Sequence, residues 1–183
     1  MKERVEKRVV MDARAVEMAV TDMAARIRAA SDDDQFCIIG IQTGGIHIAQ
    51  RLVKTMETVG IPRPDFGVLD ITLYRDDIFM GLQQPVVRNT DIRFDLTGRN
   101  VLLVDDVLYT GRTIRAALDA LVDFGRPRRI RLAVLVDRGL REYPIQADFV
   151  GRVVNTDADE TVKVELTEMG FDRDRVVVYE RNN

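Results

Sequence analysis

Apolar residues follow two spacings along this chain, one typical of amphipathic helices and one typical of buried strands. From Asp12 to Ala30 they recur every three or four residues, which predicts a helix with Asp12 as its N-cap. The same spacing predicts two later helices, one ending at Gly60 and one ending at Gly125. Each of these glycines is followed two residues later by a proline, a combination that commonly terminates helices.

Short runs of apolar, β-branched and aromatic residues predict strands between and after these helices. The predicted strands cover 36–41, 68–74, 101–104, 130–136, 149–150, 162–164 and 176–179. Because strands alternate with helices, we expect an α/β fold with a mostly parallel sheet and helices on both faces. The 183 residues suit a single domain, 1–183.

Composition and charge narrow the class of protein. The net charge of -3 gives no overall basic field, so a nucleic-acid partner would need a local basic patch. The single cysteine, Cys37, lies in an apolar run and is predicted to be a buried core residue. No segment approaches the roughly 20 apolar residues of a membrane-spanning helix. We therefore expect a cytoplasmic enzyme that does not contact a membrane.

The segment VLLVDDVLYTGRT, from Val101 to Thr113, predicts a binding site for a ribose phosphate. Asp105 and Asp106 follow an apolar strand, and in open α/β sheets ligands lie beyond the carboxyl ends of the strands. Ionised carboxylates accept hydrogen bonds from hydroxyl groups. This pair of acids therefore suits the diol of a ribose.

The residues after the acid pair suit the phosphate of the same ligand. A helix is predicted to open at 110–113, and a helix N-terminus offers unpaired N–H groups and a positive dipole end to an anion. Gly111 lets the backbone approach the anion, Thr110 and Thr113 add hydroxyl donors, and Arg112 adds charge. Together these features predict a ribose 5-phosphate site. The alternative is that Thr110 only caps the helix and the acids are solvated.

These residues resemble the signature of the type I phosphoribosyltransferases, which bind 5-phosphoribosyl 1-diphosphate (PRPP). Two flanking segments, DITLYRDD (70–77) and LAVLVDRGLREYPIQADFVG (132–151), are similar to members of that family that act on uracil and regulate pyrimidine genes. The resemblance implies a mostly parallel central sheet flanked by helices, with a small hood and a flexible loop. It also implies a homo-oligomer that converts uracil and PRPP to UMP and pyrophosphate, with Mg²⁺ bound mainly through PRPP.

The resemblance also assigns roles to individual residues on the PRPP side. Asp105, Asp106 and Arg75 are the implied catalytic residues. The turn at 43–45 would bind the pyrophosphate, and residues 109–113 would bind the 5-phosphate. The implied PRPP-binding residues are Thr43, Gly44, Gly45, Asp105, Asp106, Val107, Leu108, Tyr109, Thr110, Gly111, Arg112 and Thr113.

The base side and the loop are assigned in the same way. The residues implied to lie near uracil, whose edges main-chain groups would read, are Val136, Asp137 and Arg138. The polar stretch 75–93 is implied to be the loop that closes over the reaction. Family members often have a basic residue in the pyrophosphate turn where this chain has Gly44, so Arg75 or Arg88 would have to supply that charge. His47, the only histidine, is predicted to lie on a helix surface rather than to bind pyrophosphate.

A second activity, binding of leader RNA, is implied for some relatives, which use a basic face that includes the first helix. Basic residues are expected on this face but are replaced at Glu17, Met18, Asp22, Ala25, Leu140 and Gln146. Arg141 and Arg152 are kept. Since RNA affinity depends on basic side chains that neutralise phosphates, we expect RNA binding to be weakened or lost while the transferase activity is kept. Two alternatives stay open: a regulator with residual transferase activity, and a transferase for another base.

Overall fold

The computed structural model describes residues 5–30, 36–76 and 89–180. Three helices and eight strands follow one another in these ranges. The helices are α1 (Ala13–Ala30), α2 (Gly44–Thr58) and α3 (Arg112–Leu121). The strands are β1 (Glu6–Met11), β2 (Phe36–Ile41), β3 (Asp65–Leu69), β4 (Asn100–Leu108), β5 (Arg129–Asp137), β6 (Phe149–Val153), β7 (Glu160–Glu165) and β8 (Arg175–Glu180).

The larger sheet has five parallel strands in the order β3-β2-β4-β5-β6. Helices α1 and α2 pack on one face of it, and α3 packs on the other. Because both faces are covered, the central strands are apolar on both sides, which explains the continuous apolar runs in the sequence. The expected α/β fold with helices on both faces is therefore confirmed.

The smaller sheet is antiparallel and joins the two ends of the described chain. Its order is β1-β8-β7, so the first strand pairs with the last. We call this sheet the hood, and residues 154–159, which lead into it from β6, the hood loop. The sequence did not predict β1, because most of its side chains are exposed and Glu6, Lys7 and Arg8 give it no apolar alternation.

Helix α1 confirms the predicted start of the first helix. The backbone N–H of Ala15 donates to the Asp12 carboxylate at 2.8 Å, which is the contact expected of an N-cap. Cys37 is fully buried in β2, as expected. In the described parts of the chain, no helix is both long enough and apolar enough to cross a bilayer.

The predicted strand boundaries differ from the observed ones in several places, and two of these differences lie near the site. The strand predicted at 68–74 ends at Leu69, because the Asp70 carboxylate accepts hydrogen bonds from the backbone N–H and the hydroxyl of Thr72. These contacts turn the chain into a short 3₁₀ helix, Thr72–Tyr74. The strand predicted at 101–104 continues to Leu108, since Asp105 stays in register beside Val134. The acid pair thus belongs to the strand.

Candidate active site

An open cavity of about 340 Å³ lies where the carboxyl ends of β2 and β4 meet. These strands are neighbours, with Gly40 beside Val104, so the segments that follow them converge. The cavity wall includes six of the residues predicted for the PRPP and catalytic groups and four others. Those predicted are Thr43, Arg75, Asp105, Asp106, Val107 and Thr113. The others are Gln42, Asp70, Ile71 and Thr72.

The acid pair occupies the floor of this cavity. Asp105 is only 6% exposed, and its carboxylate accepts the backbone N–H of Asp106 at 2.9 Å. Burial raises the pKa of Asp105 well above its usual range, and the neighbouring Asp106 raises it further. Burial also raises the pKa of Asp106, although hydrogen bonds, including one from the Val107 N–H, oppose the shift. These shifts favour the protonated form of the pair, and a protonated carboxyl group can donate as well as accept hydrogen bonds.

The start of α2 is packed directly against the acid pair. A Cβ atom added at Gly44 would overlap the Asp106 carboxylate. One added at Gly45 would overlap the Val104 carbonyl oxygen and lie 2.9 Å from the Asp105 Cα. Gly44 thus leaves room for the Asp106 side chain, and Gly45 allows the close approach of two main chains. The backbone N–H groups of this helix start lie beside the cavity without a basic side chain among residues 42–45.

His47 differs from its predicted place on the helix surface. It is half-buried. Among the described residues, His47 Nδ1 is a buried side-chain atom without a hydrogen-bond partner. The sequence held one signal of this position, since His47 is three residues after Gly44 and so lies on the same helix face.

The start of α3 is built differently. Gly111 has φ 92°, a left-handed conformation that favours glycine, and precedes the first helical residue. The backbone N–H of Arg112 lies 3.3 Å from the Thr110 hydroxyl. The Arg112 guanidinium pairs with Asp76 at 2.5 Å and Glu142 at 2.6 Å. The positive charge predicted for the phosphate is therefore already neutralised by two carboxylates.

The three residues predicted for uracil lie beside the cavity wall, at the end of β5. Val136 is buried, and the Asp137 carboxylate pairs with Arg141 at 2.5 Å. The backbone N–H of Arg138 donates to the Leu108 carbonyl at 3.1 Å. The Arg138 side chain turns towards the hood, so its guanidinium does not line the cavity. Their contact with a base stays a prediction.

Asp70 and Thr72 are polar cavity residues to which the sequence had given no role of their own. Asp70 is 8% exposed, and its backbone N–H donates to Thr90 at 3.0 Å. The spacing of an aspartate and a threonine two residues later was a signal for a side-chain-to-backbone turn. Arg88 and residues 77–88 of the predicted loop lie outside the described residues.

The donor chemistry of the wall suits a hydrated Mg²⁺ ion that arrives with a phosphate ligand. The carboxylates and hydroxyls of Asp70, Thr72 and Thr43 supply oxygen, the donor that Mg²⁺ prefers. Among the residues that the structure describes, no three His, Cys, Asp or Glu side chains converge as a ready-made metal cage.

Residues 10–168 match the phosphoribosyl transferase domain family, and the chain belongs to that family. Within it, the chain is similar to the protein named Bifunctional protein PyrR of Roseiflexus sp. (strain RS-1). They are 52% identical over 171 residues, which cover 92% of this chain and 93% of the relative. Bifunctional protein PyrR of Bacillus mycoides (strain KBAB4) is 46% identical over 96% of this chain and 99% of its own.

Solved structures share the fold at low sequence identity. A hypoxanthine phosphoribosyltransferase from Staphylococcus aureus superimposes with a TM-score of 0.71 at 16% identity, covering 96% of this chain and 93% of the other. A hypoxanthine-guanine phosphoribosyltransferase from Bacillus anthracis gives a TM-score of 0.69 at 17% identity, covering 95% and 98%. The expected type I fold, with its parallel sheet and small hood, is confirmed.

Proposed function

We propose that this protein is a uracil phosphoribosyltransferase, which converts uracil and PRPP to UMP and pyrophosphate. The main support is one arrangement: a buried acid pair in β4 flanked by the starts of α2 and α3 around one cavity. Similarity to proteins named Bifunctional protein PyrR over almost the whole chain supports the choice among bases.

PRPP fits this arrangement with each of its groups at a different element. The ribose hydroxyls lie on Asp105 and Asp106, which can accept and donate hydrogen bonds. The 5-phosphate lies at the start of α3 beside Thr113, and the diphosphate lies at the start of α2 beside Thr43. Both helix starts offer N–H groups and a positive dipole end to these anions. The sugar is thereby held between two anchored anionic groups.

The reaction replaces one bond at the anomeric carbon. The C1–O bond to the diphosphate breaks with its electrons leaving on oxygen, a C1–N1 bond forms with uracil, and N1 loses its proton. Charge therefore develops on the sugar and on the leaving group, where fixed donors are most effective.

The cavity wall has more acidic than basic side chains, so the negative charge of a diphosphate has to be balanced when it binds. Asp70, Asp105 and Asp106 face it, and Arg75 is the one arginine among its described wall residues. The raised pKa values of the acid pair oppose its full ionisation and so reduce repulsion of the phosphates. Mg²⁺ bound through PRPP supplies positive charge to the leaving diphosphate. Arg75 takes the role of the basic residue that position 44 lacks.

A steady-state assay of pyrophosphate release tests this function. Uracil, orotate, hypoxanthine and guanine are compared side by side with PRPP and Mg²⁺, and Asp105→Asn purified in parallel reports contaminating activity. We expect release with uracil, with the other three at background. Faster release with any other base, or equal rates in the variant, would contradict the proposal.

Leader-RNA binding is the second candidate function, and the charges on the described surface support a weakened form of it. On α1, Asp22 is paired with Arg26 at 2.8 Å, and Glu17 is exposed beside it. Arg141 donates to the carbonyls of Ile145 and Tyr109 at 2.9 Å each, so its guanidinium serves the fold. These features reduce the positive charge open to RNA phosphates.

A gel-shift assay with UMP-saturated protein and the leader RNA of its own operon tests this candidate. We expect weak, salt-sensitive binding that Glu17→Lys with Asp22→Lys strengthens. Tight binding by the unmodified chain would show that regulation is retained. A homo-oligomer and a cytoplasmic location stay predictions.

A further inference from the structure

A set of contacts made by the Arg138 side chain connects the hood to residues 109–113, the predicted 5-phosphate site, which we call the phosphate cradle. Arg138 is 5% exposed, and its guanidinium carbon lies 3.8 Å from the centre of the Tyr109 ring. On the other side, its Nε donates to the Thr156 hydroxyl at 3.1 Å. Its Nη2 donates to the carbonyl of Glu160 at 3.1 Å and lies 3.4 Å from that of Asp157. One guanidinium thus touches the cradle and the hood loop together.

Glu160, in the hood, links the hood loop to β1. Its carboxylate is 2% exposed and accepts Arg8 Nη1 at 2.8 Å and the backbone N–H of Asp157 at 3.0 Å, with Lys7 Nζ at 3.3 Å. The hydrogen bond from Arg8 lowers the pKa of Glu160 to about 2, so the carboxylate stays ionised at neutral pH. Glu160 therefore fixes the end of the hood loop to β1 with its side chain while its carbonyl accepts Arg138.

The chemistry of arginine makes this contact set specific. A planar guanidinium can stack on an aromatic ring and donate sideways to several acceptors at once, whereas an ammonium cannot do both. A buried guanidinium without acceptors would be strongly destabilising. The hood loop and Tyr109 are therefore tied to one rigid group, and displacement of either changes the surroundings of the other.

We propose that Arg138 and Glu160 are positioning residues that hold the hood loop against Tyr109, so that binding in the 5-phosphate cradle orders the base side of the site. The inference rests on the proposed function, because it places the 5-phosphate beside Tyr109 and the base beside β5. Neither residue lines the cavity, and both act through Tyr109 and the hood loop.

Amide hydrogen exchange with and without ribose 5-phosphate tests the coupling without any turnover. In the unmodified protein we expect the ligand to slow exchange at 109–113 and also at 154–160. In Arg138→Met the protection is confined to 109–113. Arg131→Met is the matched control, since Arg131 also donates to a backbone carbonyl, that of Ala30 at 2.7 Å, from the opposite end of β5. If ribose 5-phosphate slowed exchange at 154–160 as much in Arg138→Met as in the control, the proposal would be overturned.

Kinetics separate positioning from a general structural role. We expect Arg138→Met to lower kcat/KM for uracil about tenfold, since small displacements of a substrate are costly. Arg138→Lys should recover thermal stability more than kcat/KM, because charge returns without the planar contacts. A folded Arg138→Met with unchanged kcat/KM would contradict the proposal. If that variant does not fold, Glu160→Gln and Thr156→Val each remove one part of the contact set and answer the same question.

If the proposed function is wrong, the exchange experiment gives a different result. If ribose 5-phosphate leaves exchange in the unmodified protein unchanged, the cradle assignment is wrong. In that case, amide exchange is compared between the unmodified protein and Arg138→Met, both without ligand, which tests the Arg138 contacts alone. We expect exchange at 154–160 to be faster in Arg138→Met. Unchanged exchange there would overturn the positioning role.

Discussion

The two helix starts that border the cavity are built on different principles. At the start of α2, Gly44 and Gly45 bring the main chain into contact with the acid pair, and no side chain fits between them. At the start of α3, Gly111 turns the chain, and hydroxyl groups and a neutralised arginine surround it. At Gly45 the first start is shaped by contact between main chains, whereas side chains surround the second. An added Cβ should therefore be tolerated least at Gly45.

Gly45→Ala should have the largest effect of the variants that probe this difference. The added Cβ overlaps the Val104 carbonyl, which is main chain inside the sheet and cannot yield. We expect a loss of about 3 kcal/mol in the free energy of unfolding, the upper end of typical overpacking costs. Urea denaturation measures it. Gly98→Ala is the control, because open space surrounds Gly98 and only its positive φ opposes the change, at about 1 kcal/mol. Equal losses of unfolding free energy in Gly45→Ala and Gly98→Ala would show that contact between main chains does not set Gly45 apart.

Asp105→Asn should abolish most activity while stabilising the fold. We expect kcat/KM to fall about a hundredfold or more, since the diol loses a carboxylate. Because the pKa of Asp105 is raised in the folded state, its contribution to stability is greatest at low pH and is lost as pH rises through the folded pKa. As pH rises above the ordinary carboxyl range, the unmodified protein should therefore lose stability, and Asp105→Asn should lose less.

Thermal unfolding at several pH values measures the second half of that prediction. Glu160 does not contribute to this change. Because its pKa is lowered in the folded state, its contribution to stability is lost only as pH falls below the ordinary carboxyl range. A steeper decline in the Asp105→Asn variant would contradict the assignment of the raised pKa.

Thr113→Ala should have an intermediate effect at the second helix start. The hydroxyl faces the cavity, and its loss removes one donor to the 5-phosphate while the backbone N–H groups remain. We expect the KM for PRPP to rise about tenfold, which corresponds to one hydrogen bond to a charged group. Thr55→Ala, on α2 and outside the cavity wall, is the control. An unchanged KM for PRPP would place the phosphate elsewhere.

Arg112→Met should have the smallest effect. Its guanidinium is half-exposed and already paired with Asp76 and Glu142, so its removal takes little net charge from the cradle. We expect the KM for PRPP to rise about threefold or less. A loss as large as that of Thr113→Ala would show that Arg112 exchanges its carboxylates for phosphate when ligand binds.

The sequence predicted the ribose-phosphate site because the parts of that site are adjacent in the chain. Strand, acids and helix start follow one another within Val101–Thr113, and local rules describe each of them. The partners of Arg112 could not be found in this way, since Asp76 and Glu142 are 36 and 30 residues distant and meet it only through the fold.

The extent of β4 was missed for a related reason. Two aspartates end an apolar run, and local patterning then predicts the end of the strand. In the structure, backbone pairing with β5 continues past Asp105 because the neighbouring strand is equally long. Strand ends are thus decided by a neighbour that local sequence does not specify.

The pairing of β1 with β8 affects how the protein is synthesised. All strands of the five-stranded sheet lie within residues 36–153, so that sheet can assemble while the chain is still emerging from the ribosome. The hood joins Glu6 to Tyr179, and it cannot close until Tyr179 has emerged. Contacts between such distant segments form slowly. A nascent chain should therefore hold the five-stranded sheet, with the phosphate cradle, before it holds the hood, and the contacts of Arg138 with the hood loop and Glu160 should form only in the last step of folding.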